Sequence, residues 1–293
     1  MDTDTFSIIV PAHGRPRGLA NCLEALCRLD FPRSQYEVIV VDDGSPVSLE
    51  PICSRYNERL NMVFVAQPNR GPAAARNRGS ELAGGKYLAF TDDDCMPASD
   101  WLKAMNRHLD ANPSCAVAGR MANALHGNPY ATASQVLIEY LYEYYNKNST
   151  RARFLTSNSL GVSAVEFRET GGFDASFPRP GAEDRDFCAR WIHSGREVVF
   201  DPGVVVLHAH ELSLADYFKQ HFHYGRGAFH YHRKCLARGQ RSFPVDPFVF
   251  YKKLIFRTIN NGGVKTKMQV PMLLLLSQVV NALGFGWEKF ESR

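Results

Sequence analysis

The sequence predicts an α/β protein: a central, mostly parallel sheet followed by a helical C-terminal extension. Three observations lead there. From Phe6 to about Arg120, short apolar runs alternate with stretches of helical periodicity. The runs are continuous rather than alternating, as suits strands buried on both faces. Polar residues gather just after the runs, at the strand ends where a parallel sheet opens its ligand crevice.

The strands are expected at Phe6 to Val10, Tyr36 to Val41, Met62 to Ala66, Tyr87 to Phe90 and Cys115 to Ala118. Between the first two, Leu19, Cys22, Leu23, Leu26 and Cys27 recur at helical spacing and cover one face of the sheet. After residue 120 the alternation gives way to an aromatic helix around Gln135 to Tyr145, a strand near Leu160 to Val165, a helix after Glu183, and strands Glu197 to Phe200 and Val204 to His208. The expected division is one domain over residues 1–212, with halves 1–120 and 121–212, and a helical extension over 213–293. No internal repeat or low-complexity tract interrupts it.

The 293 residues suffice for a large core, and a net charge of +4 gives no argument for a nucleic-acid partner; none is expected. Seven cysteines, odd in number and without C-x-x-C spacing, indicate neither a disulfide framework nor a zinc site, so a reducing cytoplasm is the expected compartment. The acidic start Met1-Asp2-Thr3-Asp4 runs straight into a strand, which leaves no room for a signal peptide. Near the C-terminus Lys252, Lys253, Arg257, Lys265 and Lys267 precede the apolar run from Val270 to Val280. Ser277, Gln278 and Asn281 interrupt that run, so a membrane-spanning helix is not expected. Two readings remain, a helix lying in a membrane interface, peripheral on the cytoplasmic face, and an ordinary helix docked on the core.

The feature that needs a chemical explanation is Asp92-Asp93-Asp94, which follows Tyr87-Leu88-Ala89-Phe90-Thr91. Three adjacent carboxylates repel one another and require compensating positive charge; a hard divalent cation with oxygen ligands is the economical candidate, a solvated turn before the next helix the bland one. Pro97 and Ser99 mark that helix entry. Asp42-Asp43-Gly44-Ser45 ends another buried strand, either as a plain Asp-Gly turn or as a place for carboxylates to accept hydrogen bonds from a ligand. His208 and His210 share one face of a strand end. His221, His223, His230 and His232 do not have the spacing or the cysteines of a zinc site. With Tyr217, Phe218, Phe222, Tyr224 and Phe229 they suggest an amphipathic element beside an acceptor or a membrane.

Ser7 to Arg15, Val40 to Ser45, Asn69 to Gly79 and Phe90 to Asp94, followed by Asn158, Gly171-Gly172-Phe173-Asp174, Glu183-Asp184 and His208, together resemble the family 2 glycosyltransferases of the GT-A fold. The resemblance covers about residues 6 to 210. It implies transfer of a sugar from a nucleotide diphosphate donor, UDP-sugar by preference, with inversion at the anomeric carbon and with Mn²⁺ or Mg²⁺ as cofactor. The acceptor it implies is a saccharide or lipid-linked saccharide, with the first half holding the donor and the second the acceptor.

Residue by residue, the resemblance assigns Asp94 to the metal, with His208 completing its shell. Pro11, Ala12, His13, Asp42, Asp43 and Asp92 go to the nucleotide, and Arg15 and Arg76 to phosphate or to holding carboxylates in place. Asp93 belongs to the same group, though alternation along an extended segment turns it away from Asp92 and Asp94. Asp184 matches the family's catalytic base, with Glu183 as the alternative and Asp186 structural. Acids in a first helical turn meet a field that favours ionisation, so a low pKa is expected of Asp184. Asn158 and Trp191 are assigned to the acceptor side; Ser159 stands where the pattern often has a second Asn. Two other functions are weighed: a catalytically silent nucleotide-sugar-binding scaffold at a membrane, and a nucleotidyltransferase, which Pro11-Ala12-His13-Gly14-Arg15 disfavours for want of a glycine-rich phosphate loop.

Overall fold

A computed structural model describes residues 5–146, 152–177, 181–240, 252–254 and 264–292. The chain divides into two compact units, one of Met1–Ala122, Tyr145–Ser176 and Asp184–Ala209, the other of Asn123–Tyr144, Phe177–Glu183 and His210–Arg293.

In the first unit β1 (Phe6–Ala12), α1 (Pro16–Leu26), β2 (Tyr36–Asp43), α2 (Glu50–Cys53), β3 (Met62–Gln67), α3 (Pro72–Leu82) and β4 (Tyr87–Phe90) alternate as expected. They are followed by β5 (Cys95–Pro97), α4 (Trp101–Ala111), β6 (Cys115–Asn123) and α5 (Pro129–Tyr145), which leads out of this unit. Then come β7 (Leu160–Ser163), α6 (Ala164–Glu169), α7 (Glu183–His193) and β8 (Glu197–His208). The eight strands form one sheet in the order β3-β2-β1-β4-β7-β6-β8-β5.

β3, β2, β1 and β4 pair in parallel, with Ile9 opposite both Ile39 and Phe90, so their carboxyl ends share one edge. Every residue of β1, β2 and β4 is buried, which accounts for their unbroken apolar runs. Beyond β4 the pairings β4–β7, β6–β7 and β5–β8 are antiparallel. β6 therefore runs in the direction expected of a fifth parallel strand, but β7 is inserted between it and β4. Two strands read from the sequence, 197–200 and 204–208, are one continuous β8 despite Pro202. The strand expected to reach Val165 stops at Ser163, whose hydroxyl caps α6 by accepting from the Glu166 N–H.

One core lies under α1 and α4, with Leu19, Leu23 and Leu26 packed with Ile8, Val38, Trp101 and Met105. The other face buries Phe90, Phe167, Phe173, Phe187 and Trp191, whose rings meet at 5.0–5.6 Å. Contacts of this geometry add roughly 0.5–1.5 kcal/mol each beyond area burial.

The second unit contains most of α5 together with α8 (Leu214–Ala237) and α9 (Val264–Glu291). Ser213 starts α8 through a capping box with Asp216. α8 and α9 approach until backbones touch: a Cβ on Gly225 would lie 1.9 Å from the Asn281 carbonyl oxygen, and one on Gly284 2.1 Å from that of Phe222. Only hydrogen fits at those two crossings. Ala133, Tyr140, Tyr217, Val270, Leu273 and Leu274 form the core of this unit, and Glu288 pairs with both Arg226 and His230.

Residues 269–291 are long and apolar enough to cross a membrane by length and composition, with mean hydropathy 1.5 and 28% of the stretch buried. The helix continues past Asn281 to Glu291, and Leu283, Phe285, Trp287 and Phe290 extend its apolar length beyond the run read from the sequence. Arg257, part of the basic cluster, lies outside the described residues.

Within this unit His221 is 1% exposed, and neither ring nitrogen has a hydrogen-bond partner. Its ring stands edge-on between Tyr217 and Tyr224, at 4.5 and 5.6 Å. Burial pushes its pKa down to about 4. The unfolded chain binds this proton near pH 6.5 and the folded chain only near 4, so stability falls as pH drops through that window, by up to about 3 kcal/mol. Thermal unfolding between pH 7 and 4 is expected to lose that slope in His221→Phe.

Candidate active site

The carboxyl ends of the four parallel strands bring Arg15, Asp42–Asp43, Gln67 and Asp92–Asp94 to one edge of the first unit. Local chemistry fixes each. Asp42 closes its own turn, accepting from the N–H groups of Ser45 (2.9 Å) and Leu49 (3.3 Å). Gly44 makes the turn at φ +75°, and a Cβ there would sit 2.6 Å from the Asn69 nitrogen. Asp43 ties the next loop, accepting from Gln67 Nε2 (2.7 Å), Arg70 N (2.9 Å) and Gly71 N (2.8 Å). Both carboxylates are buried and engaged within the chain, so they shape the loops. His13, after Pro11 and Ala12, donates from Nδ1 to the Asp43 carbonyl (3.0 Å) and from its backbone N–H to Asp93 (3.2 Å).

The acidic triplet has positive partners within the protein. Arg15 forks between Asp93 Oδ1 and Asp94 Oδ2, each at 2.5 Å, and Arg76 donates to Asp92 Oδ1 at 2.6 Å. Asp93 is 0% exposed, and burial pushes its pKa up to about 7, with Asp94 and Asp92 adding to Arg15's incomplete compensation. This corrects the expectation that Asp93 turns away from Asp94: residues 93 and 94 lie in a turn rather than an extended segment, and both carboxylates converge on the one guanidinium.

Asp94 and His208 meet because β5 pairs antiparallel with β8, Cys95 opposite His208, and because the Ala209 N–H donates to the Asp94 carbonyl (2.9 Å). His208 Nε2 lies 3.2 Å from Asp94 Oδ1. Burial alone would lower the pKa of His208, but its hydrogen bond to Asp94 and the charges of Asp94 and Asp92 raise it. Two donors bound at right angles to one ion, each about 2.1 Å away, stand about 3 Å apart, so this pair fits two adjacent positions on a divalent cation. Among the described residues, Asp94, Cys95 and His208 are the group whose ligand atoms cluster within 4.8 Å. The Cys95 thiol is a poor third member, since burial and then the Asp94 and Asp92 charges hold its pKa well above normal and keep it protonated. A carboxylate-and-imidazole set suits Mn²⁺ better than Mg²⁺.

Asp184, in the first turn of α7, accepts from the Ser157 N–H through Oδ2 (3.2 Å), while its buried Oδ1 has no hydrogen-bond partner. Its pKa is raised, chiefly by burial and further by Asp92, against the opposing Arg76 and Ser157. The expected low value is thereby corrected: desolvation outweighs the charge of Arg76 and the hydrogen bonds of Ser157. Glu183 accepts from the Gly181 N–H (2.7 Å), and Asp186 is buried against Arg190 (2.8 Å).

Asn158 is buried, its amide bound to Thr156 and to the Met121 sulfur. Trp191 is 0% exposed and donates to the Glu197 carbonyl, so its ring belongs to the aromatic core and is not available to an acceptor. Gln67, Ser45 and Cys95 were missed by reading the sequence. Gln67 pairs in register with Asp43, and the Ser45 hydroxyl accepts from the Gly14 N–H. Strand register reveals Gln67 and Cys95, and a contact between two loops reveals Ser45.

The half-parallel sheet, with acids at its carboxyl edge and an antiparallel β8 returning a histidine to them, defines a GT-A fold. The mannosyltransferase PcManGT from Pyrobaculum calidifontis, solved with GDP-Man and Mn²⁺, superposes with a TM-score of 0.69 at 17% identity, over 98% of this chain and 90% of that one. Staphylococcus aureus TarS 1-349 with UDP-GlcNAc gives 0.59 at 18% identity, over 94% and 72%. The sequence profile of glycosyl transferase family 2 matches residues 7–165, more than half of the chain, and the chain belongs to that family. The pre-mycofactocin glycosyltransferase of Mycobacterium tuberculosis is 27% identical over 234 residues, 76% of this chain and 46% of the relative. The chain thus spans less than half the length of that relative.

Proposed function

We propose that the chain is an inverting, metal-dependent glycosyltransferase that moves a sugar from a nucleotide diphosphate donor to a hydroxyl of a saccharide or lipid-linked saccharide. The observation that carries this reading is the 3.2 Å convergence of Asp94 and His208 in the unit that also holds the buried, half-satisfied Asp184. Asp94 and His208 hold the divalent ion, Mn²⁺ by preference. When bound, that ion supplies Lewis-acid neutralisation of the departing diphosphate. Asp92, paired with Arg76, addresses the ribose, with Pro11, Ala12 and His13 flanking the base and Asp42 and Asp43 setting the loops that frame it. Asp184 takes the acceptor hydroxyl's proton; its desolvated oxygen lacks a donor until that hydroxyl arrives, and its raised pKa strengthens it as a base. Residues 1–120 serve the donor and 121–212 the acceptor, with the helical region 213–293 appended.

GDP-Man in one structural relative and UDP-GlcNAc in another support a nucleotide-sugar donor, and UDP is our first choice. Calorimetric titration of UDP, GDP and dTDP with and without Mn²⁺ tests this: metal-dependent binding of one is expected. Binding of none would overturn the reading, and binding without turnover would favour a silent scaffold.

A second proposal concerns α9. Met272, Leu276, Val279, Leu283, Trp287 and Phe290 are 43–79% exposed and recur at the helical period, forming one apolar stripe. We propose that this stripe lies on a cytoplasmic membrane surface, with Trp287 at the headgroup level. Co-sedimentation with anionic phospholipid vesicles is expected, and the exposed double change Val279→Glu, Leu283→Glu should weaken it at least tenfold. Wild-type protein remaining in the supernatant would refute it.

A further inference from the structure

Asp94 is a divided carboxylate. One oxygen faces His208 Nε2 at 3.2 Å; the other is held by Arg15 at 2.5 Å, and the second arm of the same guanidinium holds Asp93, also at 2.5 Å. The fork fits closely from behind as well. Arg15 stands at the N-cap of α1, and Gly18 in the first turn is so near the Asp93 backbone that a Cβ there would lie 2.9 Å from its carbonyl oxygen. Arg15 therefore cannot retreat by sliding the helix inward. Its side chain is nevertheless 47% exposed, leaving it open on the solvent side to an incoming anion.

This arrangement puts a permanent positive charge on one oxygen of the very carboxylate whose other oxygen meets the metal. Resting on the reading that Asp94 and His208 hold a divalent cation, we propose that Arg15 is a built-in counter-ion: it neutralises Asp93 and Asp94 before any metal arrives, and by its charge makes metal binding conditional on the nucleotide diphosphate. Two effects follow from one residue. Like-charge repulsion between guanidinium and metal weakens binding of the bare ion. A diphosphate brings the negative charge that both cations can share, so nucleotide and metal bind with positive coupling, and by linkage each tightens the other by the same factor.

The test is Mn²⁺ affinity, measured by electron paramagnetic resonance of the free ion, with and without a saturating nucleoside diphosphate, UDP or GDP according to which binds. Wild type is expected to bind Mn²⁺ weakly alone and at least tenfold more tightly with nucleotide. Arg15→Gln should bind Mn²⁺ alone at least tenfold more tightly than wild type, with the nucleotide's coupling factor reduced correspondingly. Arg15→Lys, which keeps the charge and loses the fork, should stay near wild type. Should Arg15→Gln fail to fold with Asp93 left unpaired, the wild type still decides: Mn²⁺ bound equally tightly with and without the nucleoside diphosphate would overturn the proposal. Unchanged or weaker Mn²⁺ binding in the Gln variant would overturn the proposal and leave Arg15 as an orienting group. If Asp94→Asn and His208→Ala also leave Mn²⁺ binding untouched, the metal site itself is wrong, a failure distinct from that of Arg15.

Discussion

Asp184→Asn is expected to lower the rate of sugar transfer by about 10³-fold while leaving nucleotide affinity within about threefold and the melting temperature unchanged or higher. The magnitude follows from the usual contribution of a positioned general base, 10²–10⁴-fold. The stability half of the prediction comes from the site itself. Asp184 is a desolvated carboxylate with one oxygen unbonded, an arrangement that costs the folded state. An amide keeps the acceptor for the Ser157 N–H and removes the charge. Loss of turnover together with gained or equal stability would separate a catalytic role from a structural one, because a structural carboxylate destabilises the fold when replaced. Full activity in the variant would remove Asp184 from the mechanism and turn attention to Glu183.

The second large effect is expected at the metal pair. Asp94→Asn should reduce transfer by about 10³-fold or more, the scale seen when a preorganised stabiliser of developing charge is removed. Metal binding should fall with it. His208→Ala should behave alike but more mildly, and excess Mn²⁺ should restore part of its activity by mass action. Activity against Mn²⁺ concentration checks both. The fold should survive either change, since Arg15 and Arg76 already neutralise the neighbouring acids. Equal metal dependence in wild type and Asp94→Asn would locate the ion elsewhere.

Much of this was legible in the sequence, for physical reasons that differ by element. Strands β1, β2 and β4 announced themselves because burial on both faces leaves no polar interruption. The acids at 42–43 and 92–94 stood out because charge at the end of such a strand needs a partner. What stayed hidden was non-local. The sequence did not reveal that β7 inserts between β4 and β6, nor that β5, three residues ending in a proline just after an acidic turn, is a strand, since its pairing partner β8 lies far along the chain. Asp42 and Asp43 read as ligand-facing acids; the sequence did not reveal that Ser45 and Leu49 N–H groups hold Asp42, or that the Gln67 amide and the Arg70 and Gly71 N–H groups hold Asp43. The same limit misassigned Trp191, for a large aromatic at a helical position looks alike from the sequence whether it packs inward or meets a sugar.

The antiparallel pairing of β5 with β8 has a consequence for how the protein is made. Emerging from a ribosome, the chain can complete its parallel platform β1 to β4, and with it the acidic triplet, long before β8 exists. Closing the loop from Cys95 to His208 is then among the entropically dearest contacts of the first unit, and local helices and neighbouring strands form ahead of it. A nascent or truncated chain that ends before His208 can carry the Asp triplet but only half of the proposed ion site. Competence of the proposed ion site is thus tied to synthesis passing His208, and a chain that ends before it would lack one of the two ligands.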